Sequence, residues 1–206
     1  MISDQLTIFI NNRSEDCLNI FHELSRQTDI DKTTIFYPEC SDHLQIEHKF
    51  SNKFNLIRYE PETPAIYGSK EFDRCETPYV CLIDSEVKFG STQALYNMLV
   101  ELKTSGKMLT VPDIQIKAKT IADQLTTKGL KYKFKSKLKD RPYSPPYFIF
   151  GAIDEVNLPG GFNSSDPIEK QIINLYSIDK DKISYSSESI IIPNPEQHIL
   201  NYLEII

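Results

Sequence analysis

Short apolar runs alternate with amphipathic segments through the first half of the chain. Leu6-Thr-Ile-Phe-Ile10 is rich in β-formers and stops abruptly at Asn11-Asn12-Arg13. Ser14 is placed to cap a helix with Glu15 and Asp16 in its first turn, and Cys17, Ile20, Phe21 and Leu24 recur at helical spacing. A second β-rich run, Thr33–Tyr37, closes at Pro38-Glu39. Strand, helix and strand in such close succession form a βαβ unit, which implies parallel strands. Residues 43–60 carry a weaker pattern, with a further strand expected at Asn55–Tyr59. A break at Pro61–Pro64 precedes an expected helix from Ser69 to about Glu76.

Tyr79-Val-Cys-Leu-Ile83 is the most continuous apolar run in the chain. A run without alternation predicts a strand buried on both faces, as in a parallel sheet covered by helices. It ends at Asp84-Ser85-Glu86, and a helix is predicted over 91–103 from Leu95, Met98, Leu99 and Leu102. Further strands are expected at Met108–Val111, Tyr147–Phe150, Lys182–Tyr185 and Ser189–Ile192. Asn157–Phe162 reads as a turn, and Ser165-Asp166-Pro167 as the start of a helix. A short helix around His198 would close the chain. The expected architecture is α/β: a mostly parallel sheet with helices on both faces, and a short irregular lobe from about residue 110 onward.

Composition narrows the chemistry. Seven glycines in 206 residues is about half of average usage. None has the spacing of a dinucleotide fingerprint, a P-loop or a nucleophile elbow. Any phosphate chemistry therefore proceeds without a glycine-rich cradle. A net charge of −6 argues against wrapping by nucleic acid. No apolar run approaches the roughly 18 residues of a membrane span, and Met1-Ile2-Ser3-Asp4 lacks a basic leader. Cys17, Cys40, Cys75 and Cys81 form no C-x-x-C, which fits reduced thiols in a cytoplasmic protein.

In an open α/β sheet, ligands bind outside the carboxyl ends of the strands. Parallel strands would bring Asn12 and Arg13, Glu39, and Asp84 with Glu86 to one rim. The two carboxylates at 84 and 86 suit a hard divalent cation that keeps substrate phosphate oxygens in its shell. Such a cation would neutralise a diphosphate where the chain has no glycine cradle; an ordinary polar turn after a strand is the simpler alternative. A basic stretch, Lys128, Lys131, Lys133, Lys135, Lys137, Lys139 and Arg141, reads either as a solvated face or as a loop over an anionic ligand.

These residues, in this order, resemble the inverting glycosyltransferases of the GT-A type, particularly family 2. The resemblance covers most of the chain. Ile10-Asn-Asn-Arg13, Glu39 and Asp84-Ser85-Glu86 stand where that family contacts the base, the nucleoside, and the metal with the diphosphate. Glu86 replaces the second aspartate of the family's D-x-D. Phe150-Gly151-Ala152 and Leu158-Pro-Gly-Gly-Phe162-Asn163 resemble the family's segment before its general base. The resemblance implies a single GT-A-like domain over 1–206, with a nucleotide-sugar half (1–110) and an acceptor half (111–206). It implies transfer of a sugar from a nucleotide diphosphate sugar to a hydroxyl, with inversion and with Mn²⁺ or Mg²⁺. Asp166 would be the base by that resemblance. Asp166-Pro167-Ile168-Glu169 also reads as a helix capping box, in which case Glu169 is the substitute base. A non-catalytic nucleotide-sugar or partner-binding module, and a nucleic-acid-directed transferase using 128–141, are the other readings.

Overall fold

Most of the apolar runs become strands of one eight-stranded sheet. A computed structural model describes residues 2–11, 17–59, 74–116, 148–156 and 180–192. Its strands are β1 (Leu6–Asn11), β2 (Thr34–Pro38), β3 (Asn55–Tyr59), β4 (Tyr79–Asp84), β5 (Lys88–Phe89), β6 (Leu109–Ile116), β7 (Phe148–Ala152) and β8 (Ile183–Ile192). Their order is β3-β2-β1-β4-β7-β6-β8-β5. The first four pair in parallel, as do β6 and β8, whereas β7 runs antiparallel to both β4 and β6. The result is a mixed, mostly parallel α/β sheet, as the strand and helix pattern implied.

The pleat sorts the strand residues into two cores. Ile8, Ile10, Ile35, Cys81, Ile83 and Phe150 face α1 (Leu18–Ser25), α2 (His43–Phe50) and α3 (Ala94–Ser105). Phe9, Phe36, Tyr59, Val80, Leu82 and Ile149 form the opposite core, against which Cys75 and Ile153 of α4 (Ile153–Val156) pack. β4 is buried along Val80–Asp84, as expected for a strand covered on both faces. Phe21 of α1 meets Tyr37 edge-on at 5.4 Å and stacks on Phe50 at 5.6 Å. Such pairs contribute about 0.5–1.5 kcal/mol each beyond burial and tie both helices to β2.

Several elements differ from the pattern-based expectation. α2 lies in the stretch of weaker pattern, because only Ile46 and Phe50 bury, a stripe one residue wide. α3 begins at Ala94 rather than Ser91 because its first turn is capped from outside: the buried Gln27 side chain accepts the Leu95 N–H at 3.2 Å and donates to the Ser91 carbonyl at 2.9 Å. Gly106, at φ +63°, ends the helix in the left-handed conformation. The two expected late strands are one, β8, and β6 runs through Pro112 to Ile116. The helices expected at 69–76, after 165 and near His198 and the turn at 157–162 lie outside the described residues, apart from Arg74–Glu76, while α1 opens at Leu18 with Cys17 as its N-cap and no acidic residue in its first turn, not at Ser14 as the pattern implied. All four cysteines are free, and only Cys75 is not buried. Burial pushes the Cys81 thiol well above its ordinary range. Among the described residues, no helix is long and apolar enough to cross a membrane.

Gly90 is the close approach that seats β5 on β8. Its N–H donates to the Ser189 carbonyl at 2.8 Å, and a Cβ there would meet Ser189 Oγ at 2.1 Å and the same carbonyl at 3.0 Å. Gly90→Ala is expected to cost about 1–3 kcal/mol in denaturant unfolding. The loss should shrink in a Ser189→Ala background, which removes the nearest atom; equal losses in both backgrounds would contradict the packing account.

Candidate functional site

The parallel register places the carboxyl ends of four strands in a row. Asn11 stands opposite Asp84, and Pro38 opposite Tyr59. Extending the β1–β2 register from Phe9↔Phe36 by two residues brings Pro38 beside Asn11. The rim therefore reads Tyr59, Pro38, Asn11, Asp84 across roughly 14 Å, three strand spacings.

Asp84 is 1% exposed, and Ser85 beside it 2%. Its Oδ1 accepts the Glu86 N–H at 3.1 Å, and its carbonyl accepts the Val87 N–H at 3.2 Å. The aspartate thus builds the turn that displays it, as short acidic side chains do. The buried side chains of Ile83 and Val87 anchor that turn on both sides, and Phe89 continues into the β5–β8 pairing. Glu86 is half-buried between them. The acidic pair is consequently held by core packing rather than by a free loop.

Glu39 follows β2 directly, and its N–H donates to the Tyr59 carbonyl at 3.0 Å. Its carboxylate lies 3.8 Å from Arg58 Nη1, with both side chains about half exposed. Such a pair contributes little to stability and is screened by salt. Tyr59 was not singled out from the sequence. It is buried, and its hydroxyl donates to the Ile10 carbonyl at 3.0 Å, reaching from β3 to β1 across β2. The stacked rings of Phe9 and Phe36, 4.7 Å apart, lie on the same face, with the Arg74 guanidinium 5.7 Å from the Phe36 centroid. Only a strand register could have found Tyr59; its sequence position before Pro61 marks no more than a strand end.

Asp84, Glu86 and Glu39 are thus on one rim, while Asn12, Arg13, Asp166, Glu169 and the basic stretch 128–141 lie outside the described residues. Among the described residues, no group of three or more His, Cys, Asp or Glu gathers as a ready-made metal cage. Two carboxylates still fit Mg²⁺ or Mn²⁺ in a substrate-dependent site. A hard cation of this kind is held by one or two carboxylates, with water and phosphate oxygens completing its shell. The rigid, buried Asp84 and the half-buried Glu86 supply that donor set.

No family model and no curated protein matches the chain. Solved structures do. S. aureus TarS aligns with a TM-score of 0.63 at 12% identity, covering 98% of this chain and 38% of that one. Its 1–349 fragment, solved with UDP-GlcNAc, gives 0.60 at 13% identity over 95% of this chain and 60% of that one. Glucosyl-3-phosphoglycerate synthase from Mycobacterium tuberculosis, solved with Mn²⁺, UDP and glucosyl-3-phosphoglycerate, gives 0.56 at 12% identity, covering 98% and 77%. The chain therefore has a GT-A-like glycosyltransferase fold, and it spans less than two thirds of the TarS chains it matches.

Because the Glu39–Arg58 pair is exposed, Glu39→Gln is expected to change unfolding stability by less than about 0.5 kcal/mol. A larger loss in denaturant melts would show that Glu39 holds the fold rather than standing free for a ligand.

Proposed function

We propose that the chain is a single nucleotide-sugar glycosyltransferase domain over 1–206, with residues 1–110 taking the donor and 111–206 the acceptor. The observation that carries this reading is the Asp84-Ser85-Glu86 turn, buried at Asp84 and Ser85, at the carboxyl-end rim of the parallel strands β1–β4. It occurs in a fold shared with proteins solved with UDP or UDP-GlcNAc.

Asp84 and Glu86 are the residues that would hold Mn²⁺ or Mg²⁺ against the donor diphosphate. When bound, the cation would offset the charge that develops on the leaving diphosphate. Asp84 is the anchor, since its Oδ1 is already oriented by the Glu86 amide and its backbone is fixed in the sheet. Glu39 would accept hydrogen bonds from the nucleoside hydroxyls by exchanging its solvent-exposed ion pair, and Asn12 and Arg13 would complete that contact. Asp166, with Glu169 as the substitute, would take the proton of the acceptor hydroxyl as that oxygen attacks the anomeric carbon from the face opposite the diphosphate, which inverts the configuration. The reading places the protein in the cytoplasm, where nucleotide sugars are supplied, with an acceptor hydroxyl of unspecified class.

Calorimetry with UDP and Mn²⁺, followed by release of free UDP from a panel of UDP-sugars, tests the proposal. Asp84→Ala is expected to weaken Mn²⁺-dependent UDP binding by about tenfold or more, the loss of a charge-assisted contact. Asp166→Asn should retain binding and lower turnover by about 100-fold or more. Nucleotide binding that ignores both Mn²⁺ and Asp84→Ala would sink the site assignment. Tight binding with no UDP release from any donor would instead identify a non-catalytic binding module.

A further inference from the structure

The donor reading uses the carboxyl ends of β1, β2 and β4. The other end of the parallel strands carries a cavity of about 640 Å³. Its floor is the sheet itself, with Thr7 of β1, Thr34 of β2 and Ile57 of β3. Thr7 stands directly opposite Thr34. By the two-residue period of the strands, these two share a face with Phe9 and Phe36, so the polar pair begins where that aromatic core stops. The walls are the 3-10 turn Ile2–Asp4 before β1, which supplies Asp4, and the residues Arg74 to Thr77 that lead into β4. Thr7 and Asn11 are four residues apart on β1, so about 13 Å separates the cavity from the rim.

The polar groups of this cavity are held in place. Thr7 is 2% exposed, a buried hydroxyl between the apolar Leu6 and Ile8. Thr77 Oγ1 donates to Thr7 Oγ1 at 2.8 Å and also lies 3.0 Å from the Tyr79 carbonyl. Whichever of the two hydroxyls gives its proton to the other, Thr7 Oγ1 keeps a further proton or lone pair for a ligand. The exposed Arg74 side chain is drawn onto the core, with its guanidinium 5.7 Å from the Phe36 ring centroid, which fixes a set of donors at the cavity wall.

The lining thus offers a group that only donates (Arg74), two that only accept (Asp4 and Glu76) and hydroxyls that do both, beside the apolar Ile57. Two carboxylates against one guanidinium oppose an anion, and the guanidinium opposes a polycation. A neutral polyhydroxyl compound meets all of these groups, since its hydroxyls donate and accept and the C–H face of its ring suits an apolar floor. The volume lies within the range of about 300–1,000 Å³ that holds small ligands. We propose that this cavity is a second binding site, for a neutral oligosaccharide, at the end of the sheet opposite the Asp84 rim. It goes beyond the donor reading and does not depend on it.

The test is a backbone-amide NMR titration of the whole chain with maltotriose, cellotriose and tri-N-acetylchitotriose, and with trigalacturonate and spermidine as charged controls. At least one neutral trisaccharide is expected to move the signals of Thr7, Thr34, Ile57 and Thr77, with a Kd on the order of 1 mM. Trigalacturonate and spermidine should bind there about fivefold or more weakly, if at all. Arg74→Ala and Glu76→Ala, both at exposed positions, should each weaken the trisaccharide by about fivefold or more, the scale of a hydrogen bond to a charged group. The proposal falls if no neutral trisaccharide binds, or if its shifts are confined to the rim at Asn11 and Ser85. It falls equally if a charged control binds the cavity as tightly, or if both variants leave affinity unchanged. Binding of UDP with Mn²⁺ decides the donor reading separately, so either can fail without the other.

Discussion

Asn11 opposite Asp84 is the pairing from which the geometry of the rim follows. β1 has a parallel neighbour on each side, and both of its faces are buried, by α1 and α3 on one and by the aromatic layer of Phe9, Phe36 and Tyr59 on the other. A slip of one residue between β1 and β4 would turn every inward side chain of β4 to the wrong core. Ile83 would exchange faces with Leu82, and Asp84 would be driven among the helices. Because both faces of β4 are apolar and filled, that alternative is costly. The acidic turn is therefore positioned by hydrophobic packing over the whole length of the strand, together with the bond from the Glu86 amide to the Asp84 carboxylate.

Under the proposed function, the same constraint is what lets a glycine-poor chain offer a surface for phosphate. A glycine cradle offers backbone amides by bending the chain close to the ligand. Here the backbone amide of Glu86 is turned inward and taken by Asp84, leaving carboxylate oxygens as the chemistry on offer. In the proposed reading such a surface would take a diphosphate only with the cation that carries it. Tyr59 contributes by bridging β3 to β1, which stiffens the rim where β2 ends in proline and lacks a donor.

Much of this was legible in the sequence because apolar runs that stop at polar residues mark both a strand and its rim. Leu6–Ile10, Thr33–Tyr37 and Tyr79–Ile83 each did so, and Asp84 followed from topology alone. α2 was not legible, since two buried residues in eight leave almost no periodic signal. The pattern ends β6 at Val111, and Pro112 is a poor strand residue; β8 accommodates it by a shift of register. Tyr59 matters only through the strand it reaches, and register between strands far apart in sequence is not written in either strand.

The most direct test of the account is paramagnetic broadening of backbone amide signals by Mn²⁺ in the presence of UDP. The account predicts loss of signal at Asn11, Glu39, and Ser85 through Val87, at the carboxyl ends of β1, β2 and β4. Signals at the amino ends of the same strands, Leu6, Thr34 and Tyr79, should persist. Broadening centred on the amino ends, or none at the Asp84 turn while UDP is bound, would contradict it.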